Sequence, residues 1–459
     1  MSKIYTFLSM NKLLYISLFF ILKSFTYSQT GIEESFQFKL SKFLNDSGKG
    51  WRTISHFNHS NDYKNSTDEF IENTIKKTIS FRSSNKNFSF LSFNQGSFKN
   101  FFAYSYLFLG RKGHSFKLNH EINEHIHKSS INQFKILFSG IGYKNDWAIL
   151  KISRGSESWG AGENINLALS ESSFPYDYLT LGSNYGKLRV KYIHGFLEKT
   201  SSRVNRFLIG KGIEYTNEKS FIIGFSEIII YSGLNRPLDI AYLNPVSSHV
   251  EVELNNRLNI TGDSNSNAVW QMHIDAIFKE KIRISMNILI DEFVFDPDLE
   301  IGKEHGRAFS LRLSYNILDN ADNIFNLYSK YIHVGTPTFR HGIGTNNFIN
   351  NNFPLGWSKG SDSEEISVGF NYSNKKSIIW ILSTGTNLSG DENILLRSFD
   401  PYTDYQKSYF PSGKISKILF LNSSIDWDLN KYFTVMSILN LTFNKKNKIL
   451  LGINFSIPI

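Results

Sequence analysis

From about residue 87 onward the chain alternates apolar and polar positions with a period of two, the repeat of a strand with unlike surroundings on its two faces. In Phe101–Leu109, Phe102, Tyr104, Tyr106 and Phe108 share one face, and Ala103 and Ser105 lie on the other. In Ser115–Asn123, Phe116, Leu118 and Ile122 oppose Lys117, Asn119, Glu121 and Asn123. Similar segments begin near Gln133, Asp146, Lys187, Arg206, Ser220, Trp270, Ile282, Ala308, Asn323, Glu364, Ser377, Ile415, Tyr432 and Lys448. Many run to about 9–12 residues, the length a tilted strand needs to cross a bilayer. Tight polar turns join several of them: Asn217-Glu218-Lys219, Lys279-Glu280-Lys281, Ser373-Asn374-Lys375-Lys376 and Asn444-Lys445-Lys446-Asn447. Long loops separate others, at about 155–186, 232–268, 333–363 and 386–414. Short turns at one end and long loops at the other are the mark of an all-β transmembrane antiparallel β-barrel, here with about 16–18 strands.

The last segment fits that reading. Ile449, Leu451, Ile453, Phe455 and Ile457 alternate with Leu450, Gly452, Asn454 and Ser456. An amphipathic final strand with an aromatic near its end resembles the signal that barrel-assembly machinery reads, although the terminal residue here is Ile459. The expected barrel spans 87–459.

Two stretches before it differ. Residues 1–28 carry Lys12 ahead of the apolar run Leu13–Leu22 and the small residues around Ser28, as a cleaved secretory signal peptide does. The apolar run is too short to span a membrane as a helix, and no later segment is longer, so a membrane-embedded chain must cross as a closed barrel. Residues 29–86 contain a capping-box pattern, Ser66-Thr67-Asp68-Glu69, followed by Phe70, Ile71 and Ile75 on one helical face and Lys76 and Lys77 where a helix favours cations. The segment is expected to hold a short N-terminal helix, periplasmic or plugging.

Composition agrees without deciding. Forty Phe and 22 Tyr accompany a mean hydropathy of −0.25, a mixture that a barrel with an apolar outside and a polar lumen produces. A large soluble β-sandwich gives the same mixture. Cysteine is absent, which excludes a reactive thiol or a thiolate metal site. The formal charge of +9 is spread along the chain, with no basic run longer than a pair such as Lys445-Lys446, so nucleic acid is not an expected partner. A mild attraction to acidic polymers remains.

Few constellations carry chemistry. His120-Glu121, His125 and His127 lack the spacing that brings two imidazoles onto one helical turn, so no metal or cofactor is expected. Asp291 and Glu292 close an apolar strand, and neighbouring strand residues point to opposite faces, so they do not form a general acid and base. One of them is expected to face the lumen, in an ion pair. Phosphate-loop, dinucleotide and nucleophile-elbow motifs are absent from the sequence. The most unusual stretch is Arg154-Gly155-Ser156-Glu157-Ser158-Trp159-Gly160-Ala161-Gly162-Glu163, followed by Leu167-Ala168-Leu169-Ser170. A tryptophan among charges and glycines either stacks on a sugar ring or packs its loop inside the barrel.

Arg154 to Ser170 resembles the Arg/Trp-Gly-Pro-Gly…Leu-x-Leu-Ser signature of the Wzi-type capsule assembly proteins, with Ala161 in place of the proline. In the same order follow Ser226-Glu227 leading to Tyr242-Leu243-Asn244-Pro245, Leu289-Ile290-Asp291-Glu292-Phe293, Tyr331 with Pro337-Thr338-Phe339-Arg340-His341, and Pro354-Leu355-Gly356-Trp357…Gly360-Ser361-Asp362. Residues 30–80 match poorly. The resemblance implies an outer-membrane barrel of about eighteen strands with a helical element closing one end. It implies a non-catalytic surface lectin that attaches or organises capsular or extracellular polysaccharide, with outer-membrane lipid and the assembly machinery as further partners. The candidate sugar-binding or lumen residues are then Arg154, Trp159, Glu163, Asp291, Glu292, Arg340, His341, Trp357 and Asp362. A porin or polysaccharide-export channel is the alternative, and an outer-membrane hydrolase would need an acid–base cluster that the sequence does not display.

Overall fold

A computed structural model describes residues 57–59, 75–84, 87–110, 133–259, 266–279, 281–291, 301–320, 322–374, 376–403, 408–430, 433–443 and 448–458. The leader, the Ser66 capping box, the strand expected at Ser115–Asn123, the histidines 120–127, the turn 444–447 and Glu292 lie outside them.

Among the described residues eighteen strands close into an antiparallel barrel. They are Ile75–Ser84, Asn87–Phe98, Phe101–Gly110, Gln133–Lys144, Ala148–Gly155, Tyr176–Tyr185, Leu188–Lys199, Val204–Thr216, Phe221–Leu234, Ser266–Phe278, Ile282–Ile290, Arg307–Asp319, Ile324–Val334, Ser363–Ser373, Ile378–Ser389, Ser416–Asn430, Phe433–Phe443 and Lys448–Pro458. Each pairs with its neighbours in sequence, and the seam joins Thr78–Ser84 to Gly452–Pro458. No described helix is long and apolar enough to cross a membrane. The barrel is the transmembrane fold that the alternation predicts.

Two boundaries differ from expectation. The barrel begins at Ile75 rather than residue 87, because the backbone of Ile75–Ser84 pairs on both sides, with Asn87–Gly96 and with Gly452–Pro458. Tyr176–Tyr185 is a strand inside the stretch expected to be a loop. Its inward residues at that end are the rings of Tyr176 and Tyr178 with the charged Asp177 outward between them, so the usual pattern of an apolar outside and a polar inside is reversed there.

Parity sorts the side chains. On Ala148–Gly155, Lys151 and Ser153 are buried inward while Ile152 is 65% exposed outward. On Ser363–Ser373, Glu365, Ser367 and Asn371 are buried, whereas Ile366 and Val368 are exposed. An apolar outside and a hydrogen-bonding inside are what lipid and a closed lumen require. Phe102 and Tyr104 are an exception, since their rings face inward, stacked 6.4 Å apart over Gly142 and Gly140 of the next strand.

The two ends of the barrel are unlike. At one end, where both the first described barrel strand starts and the last one finishes, every connection is a short turn. An asparagine opens several: the Asn217 Oδ1 accepts from the amides of Lys219, Ser220 and Phe221, and that of Asn374 from Ser377 and Ile378. This side chain mimics a backbone turn, which is why Asn recurs there. Exposed rings of Phe98, Phe101, Trp147, Tyr185, Tyr215, Phe221, Phe278, Tyr315 and Trp427 mark the same end, forming the aromatic girdle of a membrane boundary. The opposite end carries the long loops, described at 156–175, 235–259, 335–362 and, apart from 404–407, 390–415.

One of those loops does not stay at the rim. Residues 235–259 form two short helices, α1 (Ile240–Leu243) and α2 (His249–Leu254), capped by Asp239 and Ser248. They lie against the outer wall, where Tyr192, Phe207, Ile209, Ile229, Tyr231 and Ala268 pack on Tyr242 and Val252.

Candidate functional site

Loops 156–175, 335–362 and 390–415 meet inside the long-loop mouth as a plug. Its core is Trp159, Ile165, Leu167, Leu169, Phe339, Phe348, Leu355, Trp357 and Ile394. These residues pack on inward side chains from Tyr176–Tyr185 round to Ile324–Val334, including Ile193, Leu208, Ile228, Ile230, Val269, Leu289 and Ile332.

The Trp159 loop is held by amides placed on lumen positions. Gln271 donates to Trp159 O (2.9 Å) and accepts from Ala168 N (3.0 Å). Asn287 accepts from Ala161 N (2.8 Å) and donates to Ala161 O (2.9 Å). The indole N–H of Trp159 donates to Glu157 Oε2 (2.8 Å), and the same oxygen receives Lys191 Nζ (2.8 Å). Trp159 is fully buried, so of the two roles open to it the structure places it as packing inside the barrel.

Loop 335–362 is fastened to the first loop and to the wall. Ser170 N donates to Leu355 O (2.8 Å) and Trp357 N to Leu167 O (3.2 Å), and a Cβ at Gly356 would land on the Leu167 carbonyl. Arg206, fully buried, donates to the carbonyls of Thr345 (2.5 Å), Asn347 (2.6 Å) and Ile349 (2.9 Å) and to Glu198 Oε1 (2.6 Å). Asp291 accepts from the Phe339 amide and so supports that residue's left-handed φ of 72°.

Asp362 joins this loop to 390–415. Its Oδ1 accepts from Thr336 Oγ1 (2.9 Å) and Ser412 N (2.9 Å), and its Oδ2 from Ser412 Oγ (2.6 Å) and Glu392 N (3.2 Å). Arg340 donates to Glu392 Oε2 (2.5 Å) with its guanidinium 4.4 Å from the Tyr402 ring centroid. His341 Nδ1 accepts from Ile343 N (2.9 Å), which leaves this imidazole turning its own loop.

The structure thus brings Trp159, Asp291, Arg340, His341, Trp357 and Asp362 into one plug, with Glu163 at its inner edge, where its carbonyl faces Arg312 Nη1 at 3.4 Å. Arg154 stands apart: it points outward and pairs with Asp177 (2.8 Å) on the outside of the wall. Sequence reasoning missed Arg206, Gln271 and Asn287, because each is one of many polar residues at inward strand positions and nothing local marks it out. It also missed loop 390–415, where Arg397 meets Glu392 (3.3 Å) and Asp400 (3.7 Å) in an open cluster and where Tyr409, in the same loop, is 94% exposed.

Ion pairs and charged contacts also line the inner wall, the first two groups near the turns and the last near the long loops. Glu214 meets Arg189 (3.3 Å) and His273 (3.2 Å), Asp275 meets Arg283 (2.5 Å), and Glu365 meets Lys330 (2.7 Å). Among the described residues, no group of three or more His, Asp and Glu is arranged to hold a metal.

No family model and no curated protein matches the chain. Among solved structures it is similar to Wzi of Escherichia coli, an outer-membrane protein involved in group 1 capsule assembly and described as a carbohydrate-binding β-barrel. The TM-score is 0.60 over 86% of each chain, at 12% identity. Looser likenesses are to OprD of Pseudomonas aeruginosa (TM-score 0.44, 10% identity, 84% of this chain and 95% of that one) and to a BenF-like porin of Pseudomonas fluorescens (0.44, 9%, 84% and 97%). At such identity the first likeness shows a fold, that of an outer-membrane β-barrel.

Proposed function

We propose that this chain is a non-catalytic outer-membrane lectin of the Wzi type, which binds capsular or extracellular polysaccharide and attaches or organises it at the cell surface. The observation that carries this reading is the plug. Three long loops leave the rim, fold into the mouth and are locked there by Arg206, Asp362, Gln271 and Asn287. A fixed cap presents a rigid surface to a polymer, and rigidity lowers the ordering cost of binding. Long loops of bacterial barrels face outward. The open cluster Glu392, Arg397 and Asp400 supplies hydrogen-bonding groups for sugars, and the exposed ring of Tyr409 in the same loop supplies a stacking face. The buried carboxylate of Asp362 is engaged by four donors and serves the loops.

The test is retention of polymer. Deletion is expected to release polysaccharide into the medium while synthesis continues, and purified protein to pull the polymer down; unchanged cell-associated polymer defeats the proposal. A channel is the second reading, favoured by the charged lumen around Arg189, Glu214, Asp275 and Arg283. Steady single-channel conductance of the intact protein in planar bilayers would support it.

A further inference from the structure

The hairpin on the outer wall covers groups that a barrel does not ordinarily aim at lipid. On Phe221–Leu234 the outward, exposed run Phe221, Ile223, Phe225 stops, and the next outward residue is Glu227. Its ladder partner Lys211 is also outward. Lys211 Nζ donates to the Ser247 carbonyl and stands 3.9 Å from Glu227 Oε2, while Glu227 Oε1 accepts from His249 N (2.9 Å) and Trp270 Nε1 (3.2 Å).

Height decides what surrounds them. A strand tilted ~40° climbs about 2.5 Å per residue along the membrane normal, and the apolar band of a barrel is about 25 Å tall. Counted from the girdle residues Tyr215 and Phe221, Lys211 stands about 10 Å and Glu227 about 15 Å into that band. The hairpin descends the wall to this level. Arg236 stacks 4.6 Å from the Tyr231 ring near the rim, Tyr242 O accepts from Tyr192 OH (2.9 Å) lower down, and Ser247 reaches Lys211 at the tip. Its far side carries large apolar residues, Ile240 78% exposed, Val246 88% and Leu254 77%, with Leu243 and Val250 between them, interspersed with the uncharged Asn244, Ser248, Asn255 and Asn256. The flanking charges Glu251 and Arg257 meet each other at 2.5 Å.

We propose that residues 235–259 are a lipid-facing element, whose tip and outer side contact the acyl chains of the leaflet on the long-loop side. The surface continues the belt of Ile213, Ile223 and Phe225, and the hairpin replaces the wall as the lipid boundary where Lys211 and Glu227 interrupt it.

The chain has no cysteine, so each introduced one is unique. Val246→Cys and Leu254→Cys, with Ile366→Cys in the belt and Lys219→Cys in a turn as references, are labelled with a nitroxide in the full-length protein and reconstituted into phospholipid vesicles. Collision with oxygen and with a water-soluble nickel chelate is read by electron paramagnetic resonance. Positions 246 and 254 are expected to match 366, with a severalfold loss of nickel access relative to 219. Nickel access equal to that at 219 overturns the proposal. So does protection from both reagents with spin–spin broadening, which would mean a second copy covers the face. A label at Ile240→Cys repeats the reading should either variant fail to fold.

Discussion

The indole of Trp159 fills the space in front of Gly210: a Cβ at position 210 would stand 2.8 Å from the ring's Cη2. The bare backbone of one wall strand therefore receives one of the two tryptophans of the plug. Gly210→Val is expected to destabilise the loop core by about 1–3 kcal/mol through overpacking, and Trp159→Ala by about 3–5 kcal/mol through the cavity it leaves. Denaturant midpoints followed by circular dichroism in detergent check both, and equal midpoints for wild type and variants would deny the contact its role.

Arg206 predicts how the second loop comes loose. Arg206→Ala strands three carbonyls and the Glu198 carboxylate that it serves, a loss of about 3–5 kcal/mol for a buried pair broken from one side. Tryptic cleavage after Arg340, slow in the native plug, should accelerate in this variant more than in Arg206→Lys. A rate that does not change means that loop 335–362 is held by something else.

Asp362→Ala removes one acceptor group from four donors, at about 1–3 kcal/mol for each buried donor left unpaired. The loss is local. Amide exchange should quicken at Glu392 and Ser412 and stay unchanged in the turns of the opposite end, and Asp362→Asn should show a smaller effect.

At the outward rim, Tyr409→Ala and Arg397→Ala should weaken polymer binding by about two- to tenfold, the range of a lost ring or rim contact, without changing the melting curve. Binding unaltered in both would move the sugar site elsewhere on the cap.

The barrel was readable in the sequence because lipid and lumen impose opposite polarities on successive residues, and Ile152 beside Ser153 shows it directly. It was unreadable where the plug makes the inside apolar, as at Tyr176 and Tyr178. The Trp159 and Pro354–Asp362 stretches drew attention for their composition, and the structure joins them through Leu167, Leu355 and Gly356. Arg154 was grouped with them, but one residue of parity sends it through the wall. Pairings such as Asp362 with Ser412, or Asn287 with Ala161, link distant segments, and no local pattern encodes them.

The packing of the plug also orders assembly. Its core touches the run of strands from Tyr176 to Val334, which adjoin one another in the chain, whereas the seam joins Thr78–Ser84 to Gly452–Pro458 across nearly the whole sequence. Contacts between distant segments carry the larger loop-closure entropy and form late. The three loops can therefore settle onto a curved, still open sheet. The cylinder then shuts around an interior that is already stoppered, and at no stage does the cap need to be threaded through a finished ring.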